Sequence, residues 1–426
     1  MATLLLSNKT TGLNSHLRSY KDGSSMFCND ILSSDIIVNS KDWFQYLKTT
    51  CKEAPSLLPE TQRKALETVL REEEIMVENL PAFLLLSKEE YQTNLHRYMK
   101  ELISFFALNP ATYFFDYFKK EVDLLEKMQG AYISEDLYHK YRIQDTQGLV
   151  STFSPNRDGF AKPVKYDSFK SPTGRLVVTE GPHILTINKT YRNMVQTSFE
   201  KGAIVSIDYV ALEPSVLLGR TSSALSNWLS STQGSTNSKP HDIYQQVADI
   251  LFQRNLLRTP IDRSEAKSIT LRTLYGAQED LIGQILQGKS SVPLHDFLFE
   301  LRELFGINQL MNQLQSERRM RNNGGKYITN HFERRIPTEG VEDYKLVNYW
   351  TQSTAVDVAL LGFASLIEDL NPEEVRPLFV LHDAIFLDVS LSAVSKLKSA
   401  INKAKTVPLF PNSHFHLKLS VESQSQ

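Results

Sequence analysis

Two aspartates follow short apolar runs of strand length. Asp208 comes directly after residues 203–207, and Asp383 follows residues 378–381 with only His382 between them. Each aspartate alone fits a helix cap or a turn equally well. Two carboxylates brought together, however, can hold a pair of divalent cations that activate an attacking oxygen and stabilise a leaving one in phosphoryl transfer. The sequence therefore predicts a metal-binding pair if the two strands are neighbours.

A second pattern offers a phosphate site. Arg263, Lys267, Leu271 and Tyr275 recur every four residues. At about 100° per residue, each step of four turns a helix face by only about 40°. One stripe would then present two cations, an apolar side chain and a phenol, which suits a triphosphate at one end and a flat base at the other. A solvated amphipathic helix has the same pattern, so the segment alone leaves both interpretations open.

The elements that must position these residues follow from apolar periodicity. Spacings of three and four predict helices over residues 60–78, 88–108, 112–128 and 262 to about 287. Asp262 is placed to cap the last of these helices, and Gly276 to bend or end it. Residues 1–40 look irregular because they are rich in Ser, Asn and Asp.

The amino-acid composition limits which classes of protein are possible. The chain has 426 residues, 41% of them hydrophobic and 23% charged, and a formal charge of −2, which is ordinary globular usage without a nucleic-acid signature in the total. Two cysteines exclude a disulfide scaffold and a four-cysteine zinc site. No uncharged apolar window of about 18 residues and no secretion signal stand out, so we expect a cytoplasmic protein without a membrane partner.

Five segments, taken in chain order, carry a resemblance to a known family. They are Thr173-Gly174-Arg175-Leu176, residues 208–213, residues 263–276, residues 348–357 and Leu381-His382-Asp383. Together they resemble the motifs of family A DNA polymerases, the group related to bacterial DNA polymerase I. The resemblance covers about residues 165–421, and it is closest to a short, exonuclease-less form such as a phage or plasmid replicative polymerase.

The resemblance implies an α+β right-hand polymerase fold, with an antiparallel-sheet palm, helical fingers and a helical thumb. It places the thumb at residues 96–164, the palm at 165–219 and 346–426, and the fingers at 220–345. Residues 1–95 have no implied role and are too short for a proofreading exonuclease. In a phage- or plasmid-encoded protein the location would be the bacterial host cytoplasm.

The resemblance also implies roles at the catalytic centre. Asp208 and Asp383 would be catalytic and would bind two Mg²⁺, or Mn²⁺, with the Tyr209 backbone carbonyl as a further ligand. Nucleotide binding is implied for the following residues: Arg263, Lys267, Leu271, Tyr275, Glu213 and Tyr244. Among these, Glu213 would lie beneath the incoming sugar and oppose a 2′-hydroxyl.

The implied DNA contacts form a separate set. They are Arg175, Asn348 and Gln352 at minor-groove acceptors, His382 near the primer end, and Arg334 and Arg335 as either phosphate contacts or surface charges. Minor-groove acceptors are alike in all correct base pairs, so such contacts report pair geometry without reading sequence.

The implied function is template-directed addition of dNTPs to a primer 3′-hydroxyl, in DNA replication or repair and without intrinsic proofreading. Its partners would be primer–template DNA and dNTPs, with a separate exonuclease, helicase or primase as further candidates. Two alternatives remain: a single-subunit RNA or primer polymerase, and a catalytically inactive polymerase-like replication subunit. Glu213 argues against ribonucleotides, and the retained Asp208 and Asp383 argue against an inactive chain.

Several positions depart from the family pattern. Leu271 stands where the family has Phe or Tyr, Tyr244 replaces a histidine, and Ala384 replaces the glutamate after the last aspartate. Loss of the ring at Leu271 removes a stacking surface for the incoming nucleotide. We therefore expect altered discrimination against sugar-modified nucleotides.

Overall fold

The computed structural model describes residues 3–6, 16–19, 25–30, 35–38, 57–70, 82–108, 112–168, 170–220, 242–276, 279–320, 327–368, 370–405, 407 and 415–424. The chain forms two compact units, residues 1–123 and 124–426. None of the described helices has both the length and the apolar character needed to cross a membrane.

The first unit contains a four-stranded sheet of order β3-β2-β1-β4. Its strands are β1 (Thr3–Leu6), β2 (His16–Ser19), β3 (Ser25–Cys28) and β4 (Asp35–Val38). β1 pairs antiparallel with β2 and parallel with β4. The expectation that residues 1–40 are irregular is therefore wrong, because strands of four residues are too short for an alternating pattern to stand out among polar residues.

The helices of the first unit agree with the predicted spans where they can be compared. They are α1 (Glu60–Leu70), α2 (Ala82–Leu85), α3 (Lys88–Leu108) and α4 (Thr112–Glu126), and the unit boundary falls within α4. α3 has the predicted bounds, and α4 ends two residues early. The predicted continuation of α1 beyond Leu70 lies outside the described residues.

The second unit alternates short strands and helices before its long elements. In chain order these are β5 (Tyr132–Ile133), α5 (Glu135–Gln144), β6 (Lys165–Asp167), β7 (Val177–Glu180), β8 (Val195–Gln196), β9 (Gly202–Tyr209), α6 (Leu212–Arg220), α7 (Ile243–Gln253), α8 (Arg263–Leu274), α9 (Glu279–Leu286), α10 (Leu294–Leu304), α11 (Ile307–Met320), β10 (Tyr327–Thr329), β11 (Arg335–Pro337), α12 (Leu346–Glu368), β12 (Val375–Leu381), β13 (Ala384–Ser390), α13 (Val394–Ala404) and β14 (Leu417–Gln424).

An antiparallel sheet of order β12-β13-β9-β14 lies at the centre of this unit. β9 is an inner strand, and all but one of its eight residues are buried. Tyr209 on one face meets Phe363 of α12, whereas Ile204 on the other face joins an apolar cluster with Phe153 and Phe379. The predicted antiparallel sheet, assembled from strands far apart in sequence, is confirmed, as is the mixed α+β class.

The predicted long helix over residues 262–287 is two helices instead. Asp262 caps α8 in a capping box with Glu265, as expected for an aspartate before a helical run. α8 ends at Leu274, and Gly276 adopts a left-handed conformation with φ of 65°. The glycine therefore ends the helix, and α9 begins at Glu279 beyond two residues outside the described part of the chain.

Candidate active site

The two aspartates lie at the same edge of the central sheet. Asp208 is paired with Ala384 on the neighbouring strand, and Asp383 occupies the turn between β12 and β13. The backbone N–H of Tyr209 donates to the carbonyl oxygen of Asp383 at 2.9 Å. The predicted neighbourhood of the two strands is therefore present, and it brings the two carboxylates together.

Both carboxyl groups have raised pKa values. Burial, followed by the charge of Asp383, raises the pKa of Asp208 to about 6, while Lys418 and Lys267 act in the opposite direction. Burial is also the main cause that raises the pKa of Asp383. A cation bound between two such acids would stabilise their ionised forms.

Tyr209 anchors the end of β9 next to Asp208. Its side chain is 2% exposed, and its hydroxyl donates to the Ala404 carbonyl at 2.6 Å. Gly362 in α12 leaves room for this hydroxyl, since a Cβ at that position would collide with it. The ring also packs against Phe363 and Phe415. The Tyr209 side chain thus points into the core and holds the strand that carries the first carboxylate.

Both turns beside the aspartates contain non-glycine residues in the left-handed region. Ala211 has φ of 51°, and His382 has φ of 56°. Such conformations cost about 1–3 kcal/mol each and persist where the surrounding structure enforces them. Strain therefore accumulates at the two places where the chain leaves β9 and β12.

The α8 stripe faces Tyr244 of α7. The Arg263 guanidinium lies 5.5 Å from the centre of the Tyr244 ring and the Lys267 ammonium lies 5.8 Å from it. Arg263 also forms an ion pair with Asp242, the N-cap residue of α7. Burial, followed by Glu213, raises the pKa of Tyr244 to about 12. The ring stays neutral and gives both cations an aromatic surface.

Glu213 contacts residues from two other segments of the site. It accepts a hydrogen bond from Arg175 at 3.1 Å and another from the hydroxyl of Tyr275. Burial, and then Glu213, raises the pKa of Tyr275, so this phenol remains a donor. Tyr275 is the C-cap residue of α8. Glu213 therefore connects the end of the stripe to the turn that carries Arg175.

A cleft of about 450 Å³ gathers most of the predicted site residues. Those that line it are Asp208, Tyr209, Asp383, Arg263, Lys267, Leu271, Tyr275, Glu213, Tyr244, Arg175, Gln352 and His382. Asn348 does not line the cleft but accepts a hydrogen bond at 2.7 Å from Gln352, one turn further along α12. Six separate chain segments thus meet at one concave surface.

Arg334 requires a correction. It was expected to contact phosphate or to carry surface charge, but it is 2% exposed and its guanidinium binds the buried carboxylate of Asp357 at 2.7 and 2.9 Å. Arg334 forms a buried ion pair because the segment that carries it packs against α12, which carries Asp357. Arg335 is half-buried, lies 4.8 Å from the centre of the Tyr327 ring and does not line the cleft.

Two charged residues near the cleft were not among the predicted site residues. Asp242 pairs with Arg263, and Lys418 of β14 lines the cleft beside Asp208. Asp242 had a detectable signal as the residue before a helical run. Lys418 had none, because only the register of β14 against β9 brings it to the site.

The donor set of the cleft fits Mg²⁺ or Mn²⁺. No group of three or more His, Cys, Asp and Glu side chains is placed to hold a metal among the residues that the structure describes. Mg²⁺, however, is usually bound through one or two carboxylates, with waters and substrate phosphates completing its shell. Asp208 and Asp383 are such a pair, and their raised pKa values indicate a negative charge in need of compensation.

No protein-family model and no curated protein matches this chain. Among solved structures, it is similar to the POL domain of Pol1 from M. smegmatis, whose structure is a complex with DNA primer-template and dNTP. The two share 15% sequence identity at a TM-score of 0.48 over 91% of this chain, which spans 65% of that chain. A similarity at this level leaves the chemistry to be inferred from the residues of this chain.

Proposed function

We propose that this chain is a template-directed DNA polymerase that adds dNTPs to a primer 3′-hydroxyl. One observation carries the proposal: the cleft places the carboxylates of Asp208 and Asp383 together with Arg263 and Lys267 of α8. Phosphoryl transfer depends on positioning and on stabilising negative charge, and these four residues supply both.

A right-hand arrangement would divide the chain into three parts, with the palm and the fingers in the larger unit. The sheet made from β9 and from β12 to β14 would be the palm, corresponding to residues 165–219 and 346–426. The segment 220–345 between them, which is mainly helical in its described residues, would be the fingers, and residues 96–164 would be the thumb. An antiparallel sheet interrupted by a helical insertion is what this division requires.

Asp208 and Asp383 would hold two Mg²⁺, with the Tyr209 carbonyl as a further ligand. When bound, such ions lower the pKa of an attacking hydroxyl and screen the charge of a leaving group. The anchoring of Tyr209 in the core would keep this edge of the sheet rigid. Rigid placement of the acids reduces the cost of reorganisation during the reaction.

Arg263 and Lys267 would bind the triphosphate of the incoming nucleotide. Their aromatic support, Tyr244, is neutral and fixed by burial. Tyr275 would pack at the nascent base pair, and Glu213 would exclude a 2′-hydroxyl from the sugar position. The hydrogen bond between Tyr275 and Glu213 couples these two functions.

Arg175, Gln352 and His382 would contact the primer–template. Gln352 and Asn348 form a hydrogen-bonded pair on α12, so Asn348 would orient Gln352 for a minor-groove acceptor. Arg175 and Tyr275 both donate hydrogen bonds to Glu213, and both line the cleft. These side chains would test the shape of the terminal pair.

The test is primer extension by the purified chain with Mg²⁺ on a defined template, with deoxy- and ribonucleotides in parallel. Asp208→Asn removes one metal-binding charge at constant volume, and Asp262→Asn is the matched control because asparagine also caps α8. We expect deoxynucleotide extension by the wild type and the control, and none by Asp208→Asn.

The other outcomes separate the alternatives. Extension with ribonucleotides would point to an RNA or primer polymerase and would remove the sugar-selecting role of Glu213. No extension by the folded wild type, with tight primer–template binding retained, would favour a non-catalytic replication subunit. Degradation of a mismatched primer from its 3′ end would contradict the absence of proofreading.

A further inference from the structure

One row of residues crosses three strands of the central sheet. Asp208 of β9 is paired with Ala384 of β13 on one side and with Lys418 of β14 on the other. Directly opposed residues of antiparallel strands point to the same face of a sheet. Lys418 and Asp208 therefore share the face that borders the cleft, and both line it.

Lys418 and Asp383 flank Asp208 from opposite sides. β9 lies between β13 and β14, and Asp383 directly precedes β13. Lys418 is thus placed on the side of Asp208 opposite to Asp383.

The Lys418 side chain is exposed and makes no hydrogen bond or ion pair within the described part of the chain. Lysine on an edge strand such as β14 often serves only to prevent pairing with other chains. That role needs no particular partner, whereas Lys418 lies in register with a catalytic carboxylate inside the cleft. A cation in this place is suited to an anionic ligand.

We propose that Lys418 is a third phosphate-binding cation of this cleft, holding a phosphate of the substrate on the side of Asp208 that faces away from Asp383. The inference rests on the proposed function and deepens it. An ammonium group is a compact charge with three donors and binds phosphate without a fixed orientation. The phosphate belongs either to the primer strand or to the incoming nucleotide, and both place phosphates beside the reacting atoms.

The test compares Lys418→Met with Lys418→Arg and with the control Lys398→Met. Lys398 is an exposed lysine of α13 that does not line the cleft, so the control removes the same charge elsewhere. Binding is measured by fluorescence anisotropy with Mg²⁺ and a primer–template whose primer lacks its 3′-hydroxyl. The salt concentration is varied, and melting temperatures establish that each variant is folded.

For a primer phosphate, Lys418→Met should weaken binding about five- to tenfold at 0.1 M salt and reduce the slope of log K against log salt by about 1. Lys418→Arg should keep the wild-type slope. For a nucleotide phosphate, DNA binding should stay unchanged while the KM for dNTP rises by a similar factor. Either result supports the phosphate contact and identifies its source.

The inference is overturned if Lys418→Met equals Lys398→Met in both DNA affinity and KM. That failure would leave the proposed function intact, because the wild type would still bind and extend the primer. A folded wild type that neither binds nor extends a primer would instead remove the proposed function, and this inference with it.

Discussion

Two arginine–carboxylate pairs in the larger unit differ in how far solvent reaches them. The side chains of Arg263, which lines the cleft, and of Asp242 are 49% and 28% exposed, whereas those of Arg334 and Asp357 are 2% and 0% exposed. The buried pair is completed by Asn330, which donates to the Asp357 carboxylate at 2.6 Å. A ligand can reach Arg263 in the exposed pair, whereas no ligand can reach Arg334 in the buried pair.

The difference follows from the cost of desolvation. A buried charge without a partner is strongly unfavourable, so a pair such as Arg334–Asp357 must stay closed in the folded protein. An exposed pair gains little from its own attraction, since water screens it. Arginine therefore occupies two settings in one unit: Arg334 holds segments together, and Arg263 is accessible to a ligand, which we propose is a phosphate.

The largest effect is expected at the buried pair. Asp357→Ala removes the carboxylate that binds the buried Arg334 guanidinium, which should lower the free energy of unfolding by about 3–5 kcal/mol. Urea denaturation measures the loss. The control is Arg254→Met, which opens the exposed pair with Glu300 and should cost about 1 kcal/mol or less. Equal losses in the two variants would remove the distinction between the pairs.

The exposed arginine should show the opposite profile. Arg263→Ala removes a cation that would stabilise the leaving pyrophosphate, and kcat should fall about 100- to 1000-fold. The free energy of unfolding should change by about 1 kcal/mol or less, because the Asp242 pair is exposed. Single-turnover incorporation and urea denaturation give the two values. A large loss of stability with unchanged kcat would reverse the assignment.

The acidic pair should make stability depend on pH. Burial, and then Asp383, raises the pKa of Asp208 from 3.8 to about 6. The folded chain thus binds this proton more tightly than the unfolded chain, and stability falls as the pH rises from about 4 to about 6. Without divalent cations, Asp208→Asn removes this unfavourable charge and should stabilise the chain at pH 8. The gain should be only about 1 kcal/mol, because solvent screens the partly exposed carboxylate.

The same substitution should give a much smaller gain near pH 4, where the Asp208 carboxyl is protonated in the folded chain and partly protonated in the unfolded one. Melting temperatures in EDTA at both pH values measure the difference. A gain of the same size at both pH values would mean that the charge of Asp208 is not its cause.

The smallest effect is expected at the partner of Arg263. Asp242→Asn removes the competing charge but keeps the N-cap of α7, since asparagine caps as well as aspartate. Because exposed pairs contribute about 0.2–1 kcal/mol, the KM for dNTP should fall by up to about fivefold. Steady-state extension measures it. An unchanged or higher KM would show that the ion pair does not compete with the nucleotide.

Local pattern predicted the elements that carry the site. The four-residue spacing of Arg263, Lys267 and Leu271 requires only a helix, and α8 places all three at the cleft. The apolar runs before Asp208 and Asp383 are strands for the same local reason. Short strands without periodicity, such as β1 to β4, gave no comparable signal.

Burial and register were not predictable in this way. Arg334 and Arg335 are neighbours in a basic segment, yet only Arg334 is buried, since it faces Asp357 of α12. Nothing in a local window reports which distant carboxylate will lie opposite an arginine. Both residues were therefore assigned the same role from the sequence.

The amino-acid sequence by itself determined the two strand-terminal aspartates, the basic stripe of α8 and its termination at Gly276, because these depend on neighbours within a few turns of chain. Only the tertiary structure decided that Asp242 pairs with Arg263, that Asp357 buries Arg334, and that Lys418 lies beside Asp208. Those contacts depend on strand register and on packing between distant segments, which the folded core alone establishes.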